Sequence, residues 1–110
     1  GREFKSRTQV DAFFQVLAEK LAWMSDCDVI FYQAGADPHV RDPLGGWMTT
    51  EQLAQRDLTV FEACKRMSVG VAWNLAGGYQ VNLDGSTNWP AILEIHDNTM
   101  KACWEAFGDS

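Results

Sequence analysis

Positive charge is scarce in this chain, because nine Lys and Arg stand against 15 Asp and Glu and give a net charge of −6 at pH 7. Proteins that bind nucleic-acid phosphates or anionic membrane surfaces need clustered Lys and Arg. No apolar run approaches the roughly 20 residues of a membrane-spanning helix, and the N-terminus has no pattern typical of a secretory signal. We therefore expect neither a nucleic-acid nor a membrane partner, and a cytoplasmic location.

Cysteine is also infrequent. The three cysteines, Cys27, Cys64 and Cys103, are odd in number and have no regular spacing. They predict neither a disulfide framework nor a zinc knuckle. We interpret them as small hydrophobic residues buried in a protein of a reducing compartment.

What the chain does contain is enough apolar material for one domain. Hydrophobic residues make up 46% of its 110 positions and charged residues 22%, which is typical of a globular rather than a disordered chain. The length suits a single domain over residues 1–110. Five phenylalanines fall at core spacing, namely Phe13, Phe14, Phe31, Phe61 and Phe107.

Three segments carry the three-and-four spacing of apolar residues that predicts helices. The first begins at about Thr8, whose side chain would cap it, after a charged segment that we expect to fray. The second opens at Thr49, where Gln52 would complete a capping box. The third has Pro90 in its first turn and stops before Gly108.

Two apolar runs, Val29–Gln33 and Val69–Leu75, predict strands. Each is nearly continuous in apolar residues, as in a parallel sheet that is covered on both faces. The order helix, strand, helix, strand, helix contains one parallel βαβ crossover. We therefore predict an α/β fold of three layers, with a parallel βαβ core and flanking helices.

Two strands do not make a self-sufficient sheet. Their outer edges would be unpaired and apolar, which invites further strands, and five tryptophans need more cover than so small a unit provides. We expect the chain to associate with itself, as a homodimer or a higher oligomer, or to be a piece of a larger structure. Trp47 and Met48 are candidates for lining a groove or an interface.

Residues suited to chemistry follow each predicted strand. Asp37 enters a loop rich in Gly, Pro and Asp after the first strand, and Gly77, Gly78 and Tyr79 follow the second. Ligands and metals bind at the carboxyl ends of strands in open α/β sheets. A catalytic zinc takes three protein ligands, so a loop-ordering role for Asp37 stays open beside a metal-binding one.

Four motifs follow one another along the chain: Ala34-Gly35-Ala36-Asp37, Asp42-Pro43-Leu44-Gly45, Arg56-Asp57 and Leu75-Ala76-Gly77-Gly78-Tyr79. In this order they resemble the C-terminal third of histone deacetylase-type enzymes, especially the bacterial acetylpolyamine and acetoin-utilisation deacetylases. The resemblance covers about Val10 to Phe107. It implies part of the parallel arginase/deacetylase fold, and a zinc ion held by two aspartates and one histidine in the complete site.

The resemblance also implies roles for individual residues. Asp37 matches the second metal-binding aspartate, and Tyr79 matches the tyrosine that donates a hydrogen bond to the developing oxyanion. Gly77 and Gly78 match the glycines that let the backbone turn close to the site. Leu44 matches a wall residue of the acyl-lysine tunnel, so the implied ligand is a small acetylated amine.

The rest of the family's site has no counterpart in this sequence. The resemblance places the other aspartate, the ligand histidine and a proton-transferring histidine pair upstream, but no histidine precedes Val29. His39 is interpreted as a solvated loop residue or as a weak second ligand, and His96 as lying on a partly exposed helix flank. Arg41 and Asp42 stand where the family orients its loop.

Two functions stay open at this point. In the first, the chain is a truncated deacetylase-like domain that is catalytically incompetent alone and has an oligomeric or binding role. In the second, it is the C-terminal fragment of an active zinc-dependent deacetylase that hydrolyses N-acetyl amines. Zinc is expected only if other segments complete the site, because the sequence lacks most of the implied ligands.

Overall fold

A computed structural model of the protein describes residues 2–43 and 45–108, with side chains from residue 8 onward. The helices are α1 (Arg2–Trp23), α2 (Thr50–Met67) and α3 (Trp89–Phe107), and the strands are β1 (Val29–Gly35) and β2 (Gly70–Ala76). This is the predicted element order, and it is a small α/β arrangement. Within the described ranges, no helix combines the length and the apolar character needed to cross a membrane.

Helix α1 is longer than its apolar pattern predicts. It begins at Arg2, so Thr8 lies inside the helix and does not cap it. The charged N-terminal segment contains Arg, Glu and Lys, which favour helix, and after Gly1 it has no glycine or proline to end one. The predicted apolar stripe is confirmed, since Val10 and Leu21 are buried and Phe13 is half-buried.

The start of α2 follows the predicted capping chemistry, and α3 begins at Trp89 with the predicted Pro90 in its first turn. Thr49 Oγ1 accepts a hydrogen bond from the backbone N–H of Gln52 at 3.1 Å, and Gln52 Oε1 accepts one from the N–H of Thr49 at 2.9 Å. This reciprocal pair is the predicted capping box. At the start of α3, Asn88 Oδ1 accepts from the N–H of Ala91 at 3.2 Å.

Strands β1 and β2 are parallel, with a register that runs from Val29 opposite Gly70 to Gly35 opposite Ala76. Side chains alternate between the two faces of a strand. Ile30 and Tyr32 point to the inner face, where they contact core residues from the helices. The sheet therefore has a packed face and a regular carboxyl end.

The opposite face of the sheet is uncovered in the described part of the chain. Phe31 is 82% exposed, Val29 is 44% exposed, and Ala72 on β2 is exposed as well. Leu21 of α1, Val60 of α2 and Ala102 of α3 belong to core clusters that contact the inner face. The predicted three-layer core is not confirmed, and the prediction that Phe31 lies in the core is wrong.

The core beneath the β1 end includes the long loop that follows the strand. Met48 and Leu53 are fully buried and pack with Val10. Trp47 is half-buried and makes an edge contact with Phe13, with ring centroids 5.4 Å apart. The expectation that Met48 lines a groove or an interface is wrong, because its side chain is fully buried; for Trp47, which also packs on helix α1, it stays a prediction.

The cysteines divide by burial. All three are free thiols; Cys64 is buried, Cys103 is half-buried and Cys27 is exposed. Burial raises the pKa of the Cys64 thiol. The prediction of buried thiols therefore fails for Cys27, which lies in the exposed connection between α1 and β1.

Candidate functional site

Parallel pairing brings Asp37 and Gly77 together at the carboxyl end of the sheet. Beyond the last paired residues, the N–H of Ala36 donates to the carbonyl of Ala76 at 2.9 Å. Gly77 has a positive φ of 66°, and a Cβ built there would overlap Oδ1 of Asp37. A side chain at this position would displace the carboxylate, so the two predicted site residues form one juxtaposition.

The glycine pair also fixes the position of Tyr79. Gly78 has a φ of 110°, and a Cβ there would lie 2.7 Å from Cγ2 of Ile92 on helix α3. The backbone N–H of Tyr79 then donates to Oδ2 of the buried Asp42 at 2.6 Å. Asp42 thus ties the Tyr79 backbone to the loop that follows Asp37, and the Tyr79 side chain is half-exposed.

The loop after Asp37 is closed by its own backbone. The N–H of Met48 donates to the carbonyl of Pro38 at 2.9 Å, and the N–H of Val40 donates to the carbonyl of Met48 at 2.7 Å. Arg41 lies exposed on this loop. Leu44, the predicted tunnel-wall residue, lies outside the described residues.

His39 is buried, which overturns the prediction of a solvated loop residue. Its Nδ1 accepts the N–H of Arg41 at 3.1 Å, so in the neutral ring Nε2 carries the proton and donates to Thr50 Oγ1 at 2.8 Å. Burial lowers the pKa of His39, and the positive charge of Arg41 lowers it further. Both ring nitrogens are engaged, so the alternative that His39 is a weak metal ligand is also not supported by this geometry.

His96 is also buried, at 8% exposure, although its predicted place was a partly exposed flank. Its Nε2 lies 3.4 Å from the carbonyl oxygen of Gly77, and its Nδ1 is buried without a hydrogen-bond partner among the described residues. The spacing in α3 contained the signal for this, because His96 lies four residues after Ile92 and three before Thr99. Both of those residues are buried.

Asp57 forms a buried hydrogen-bond network below the site. In the sequence it is the one polar residue in the apolar stripe of α2. Asp57 is fully buried and accepts hydrogen bonds from the hydroxyls of Tyr32 and Thr99. Nε and Nη2 of Arg56 donate to Asp57 Oδ1 at 3.0 and 2.9 Å. A polar residue at a stripe position faces the core and needs partners there, and that is the signal that identifies Asp57.

Electrostatics within this network follow from burial. Burial raises the pKa of Tyr32 far above its ordinary value, and the nearby Asp57 adds to the increase while Arg56 opposes it. Tyr32 therefore stays protonated and acts as a hydrogen-bond donor to the carboxylate. The guanidinium of Arg56 lies 5.7 Å from the centre of the Tyr32 ring.

The site residues do not form a complete metal centre. Across residues 2–43 and 45–108, no group of three His, Cys, Asp or Glu side chains is placed to hold a metal ion. A polar pocket of about 300 Å³ lies nearby and is lined by His39, Arg41, Gln80 and Glu94, among others. Neither Asp37 nor Tyr79 lines it, so this pocket is separate from the juxtaposition at the strand ends.

These features define an α/β chain with a carboxylate, two glycines and a tyrosine assembled at the carboxyl ends of parallel strands. The sequence model of the histone deacetylase domain matches residues 2–95. The chain therefore belongs to the histone deacetylase domain family, as its motifs predicted.

Comparison with known proteins also identifies a relative of similar sequence. The chain is 38% identical over 77 residues to an uncharacterized protein of Picosynechococcus sp.. That match covers 66% of this chain and 26% of the relative, so the chain corresponds to about a quarter of the relative's length. No solved structure matches the chain.

Proposed function

We propose that this chain supplies one wall of a zinc-dependent deacetylase site, with Asp37 as one metal ligand and Tyr79 as the oxyanion donor. The observation that carries the proposal is the close approach of the Asp37 carboxylate to Gly77, two residues before Tyr79. Membership of the histone deacetylase domain family supports it. The match to about a quarter of the Picosynechococcus relative fits a partial site.

The described residues do not by themselves fit a catalytic zinc. Such a zinc takes three protein ligands, and Asp37 provides one suitable carboxylate. In the complete site, zinc would polarise the acetamide carbonyl and activate a water. The remaining ligands and the general base would come from residues outside this sequence, so the chain alone would be catalytically incompetent.

The residues of this chain would bind and orient. The half-exposed Tyr79 would donate its hydroxyl hydrogen to the oxyanion that forms at the acetamide carbon. Asp42 would keep the Tyr79 backbone in place through its hydrogen bond to the Tyr79 N–H. The substrate class is a small acetylated amine.

A second function has one observation in its favour. The uncovered sheet face, with Phe31 82% exposed, would suit a truncated relative that keeps only an oligomeric or binding role. In that case Asp37 would order its loop, and removing its charge would affect stability but no metal.

A chimera distinguishes these functions. Residues of this chain replace the matching segment of the Picosynechococcus relative, and hydrolysis of an acetyl-lysine peptide and of acetylated polyamines is measured. We expect Tyr79→Phe to lower kcat by about 10²-fold or more, because one oxyanion donor is lost. Thr87→Val, which removes an exposed hydroxyl nearby, is the matched control. Equal activity of the two variants would contradict the proposed role of Tyr79.

A further inference from the structure

Arg56 connects the buried network to the end of strand β1. Its Nη1 donates to the carbonyl oxygen of Gly35 at 2.8 Å, while Nε and Nη2 of the same planar group donate to Asp57. Gly35 is the last residue of β1 and lies two residues before Asp37. A Cβ on Gly35 would lie 3.1 Å from Oδ1 of Asp37, so the carbonyl that Arg56 binds belongs to the residue beside the carboxylate.

Asp57 fixes the orientation of this guanidinium, and hydrogen bonds from two other elements fix Asp57. Tyr32 donates to it from β1 and Thr99 donates from α3, while Asp57 itself lies on α2. A guanidinium whose donors are fixed by a carboxylate has little freedom to turn. The position of the Gly35 carbonyl is therefore set by the packing of both helices.

The other side of the carboxylate is supported in the same way. His96 of α3 approaches the carbonyl oxygen of Gly77, the residue whose backbone lies against Asp37. Arg56 and His96 thus contact the backbone on either side of Asp37, at Gly35 and at Gly77 respectively. Stability alone does not require such an arrangement, since an apolar cluster of similar volume is often equally stabilising.

We propose that Arg56 and Asp57 are positioning residues that hold the β1 end, and with it the Asp37 carboxylate, in place for metal binding. The metal-binding part of this inference rests on the proposed function, whereas the fixed strand end does not. Partners that orient a metal ligand from behind affect metal affinity about 10- to 100-fold in metalloproteins.

Arg56→Lys tests the positioning in the 110-residue chain itself. Lysine keeps the charge but has no planar fork to reach both Gly35 and Asp57. Amide hydrogen exchange by NMR should become about tenfold faster at Ala36 and less than about twofold faster at Phe61, in the middle of α2. Arg66→Lys, the same substitution on the exposed last turn of α2, is the control and should change neither rate.

Equal acceleration at Ala36 and Phe61, or no change at Ala36, would overturn the proposal, because it would show a general structural role or none. Thr99→Val is the second variant if Arg56→Lys does not fold. It removes one donor to Asp57 and should give the same local pattern with a smaller amplitude, of about threefold.

Measurements of zinc binding distinguish this inference from the proposed function. In the chimera, Arg56→Lys should weaken zinc binding about tenfold, measured by competition with a chelating dye. If Asp37→Asn abolishes zinc binding while Arg56→Lys leaves it unchanged, the positioning role fails and the proposed function stands. If the local exchange pattern appears but zinc binding is independent of Asp37, the strand-end support stands and the proposed function fails.

Discussion

The candidate site lies at the carboxyl end of the sheet because its residues directly follow two parallel strands. Asp37 follows β1, and Gly77, Gly78 and Tyr79 follow β2. Local motifs were enough to predict this, since each residue directly follows an apolar run. The burial of His39 and the partners of Asp57 could not be predicted in the same way. They depend on contacts between residues 11 and 25 to 42 positions apart, which no local pattern contains.

At the residue scale, substitutions of Gly77 and Gly85 distinguish the cost of backbone strain from the cost of contact with Asp37. Gly77 and Gly85 both have positive φ, but a Cβ on Gly77 meets Asp37, whereas one on Gly85 meets nothing within 4 Å. We predict that Gly85→Ala lowers the free energy of unfolding by about 1 kcal/mol, from backbone strain alone. Gly77→Ala should cost about 0.5 to 1 kcal/mol more, because the Asp37 side chain must turn to a less favourable rotamer.

Urea unfolding of the two variants checks this prediction, with the wild-type chain as the reference. Equal losses of stability at the two glycines would show that the space beside Asp37 is not restricted. In that case the juxtaposition of Asp37 with the glycine pair would lose its energetic basis.

At the element scale, the sequence predicts the starts of α2 and α3 more reliably than the start of α1. Capping residues are local signals, and the Thr49–Gln52 box forms as the spacing indicates. Helix α1 extends back to Arg2 because its charged residues favour helix even without an apolar stripe. Strand positions shifted by only one or two residues, from Val69–Leu75 to Gly70–Ala76 for β2.

The capping box should contribute measurably to stability, because it satisfies backbone N–H groups at the start of α2. This helix carries both Arg56 and Asp57. We predict that Thr49→Ala lowers the free energy of unfolding by about 1 kcal/mol, since the N–H of Gln52 loses its acceptor. Thr49→Ser keeps the hydroxyl and should retain most of the stability. Thermal unfolding followed by circular dichroism measures both; a serine variant as unstable as the alanine variant would contradict the capping role.

At the scale of the whole molecule, the sequence predicted the element order and the parallel pairing but not which faces of the sheet are covered. An apolar run such as Val29–Gln33 is compatible with burial on one face or on both. In the described residues the helices contact the inner face, and Phe31 is left outside. Trp23 and Trp104 are likewise 78% and 75% exposed.

This uncovered face predicts self-association of the isolated chain. Light scattering at micromolar concentration should show a dimer or a larger species, because exposed apolar sheet faces and strand edges attract partners. Phe31→Lys should shift the chain toward the monomer. Leu83→Lys, at a fully exposed loop position, is the matched control and should not. A monomeric wild-type chain would contradict the prediction.

The most direct test of the proposed site is the zinc content of the chimera with the Picosynechococcus relative, measured by plasma mass spectrometry after dialysis. We predict one zinc per molecule, lost in Asp37→Asn and retained in Asp97→Asn, which changes an exposed acid on α3. The 110-residue chain alone should hold no stoichiometric zinc. Full zinc content in the Asp37→Asn chimera, or one zinc per molecule in the isolated chain, would contradict the account.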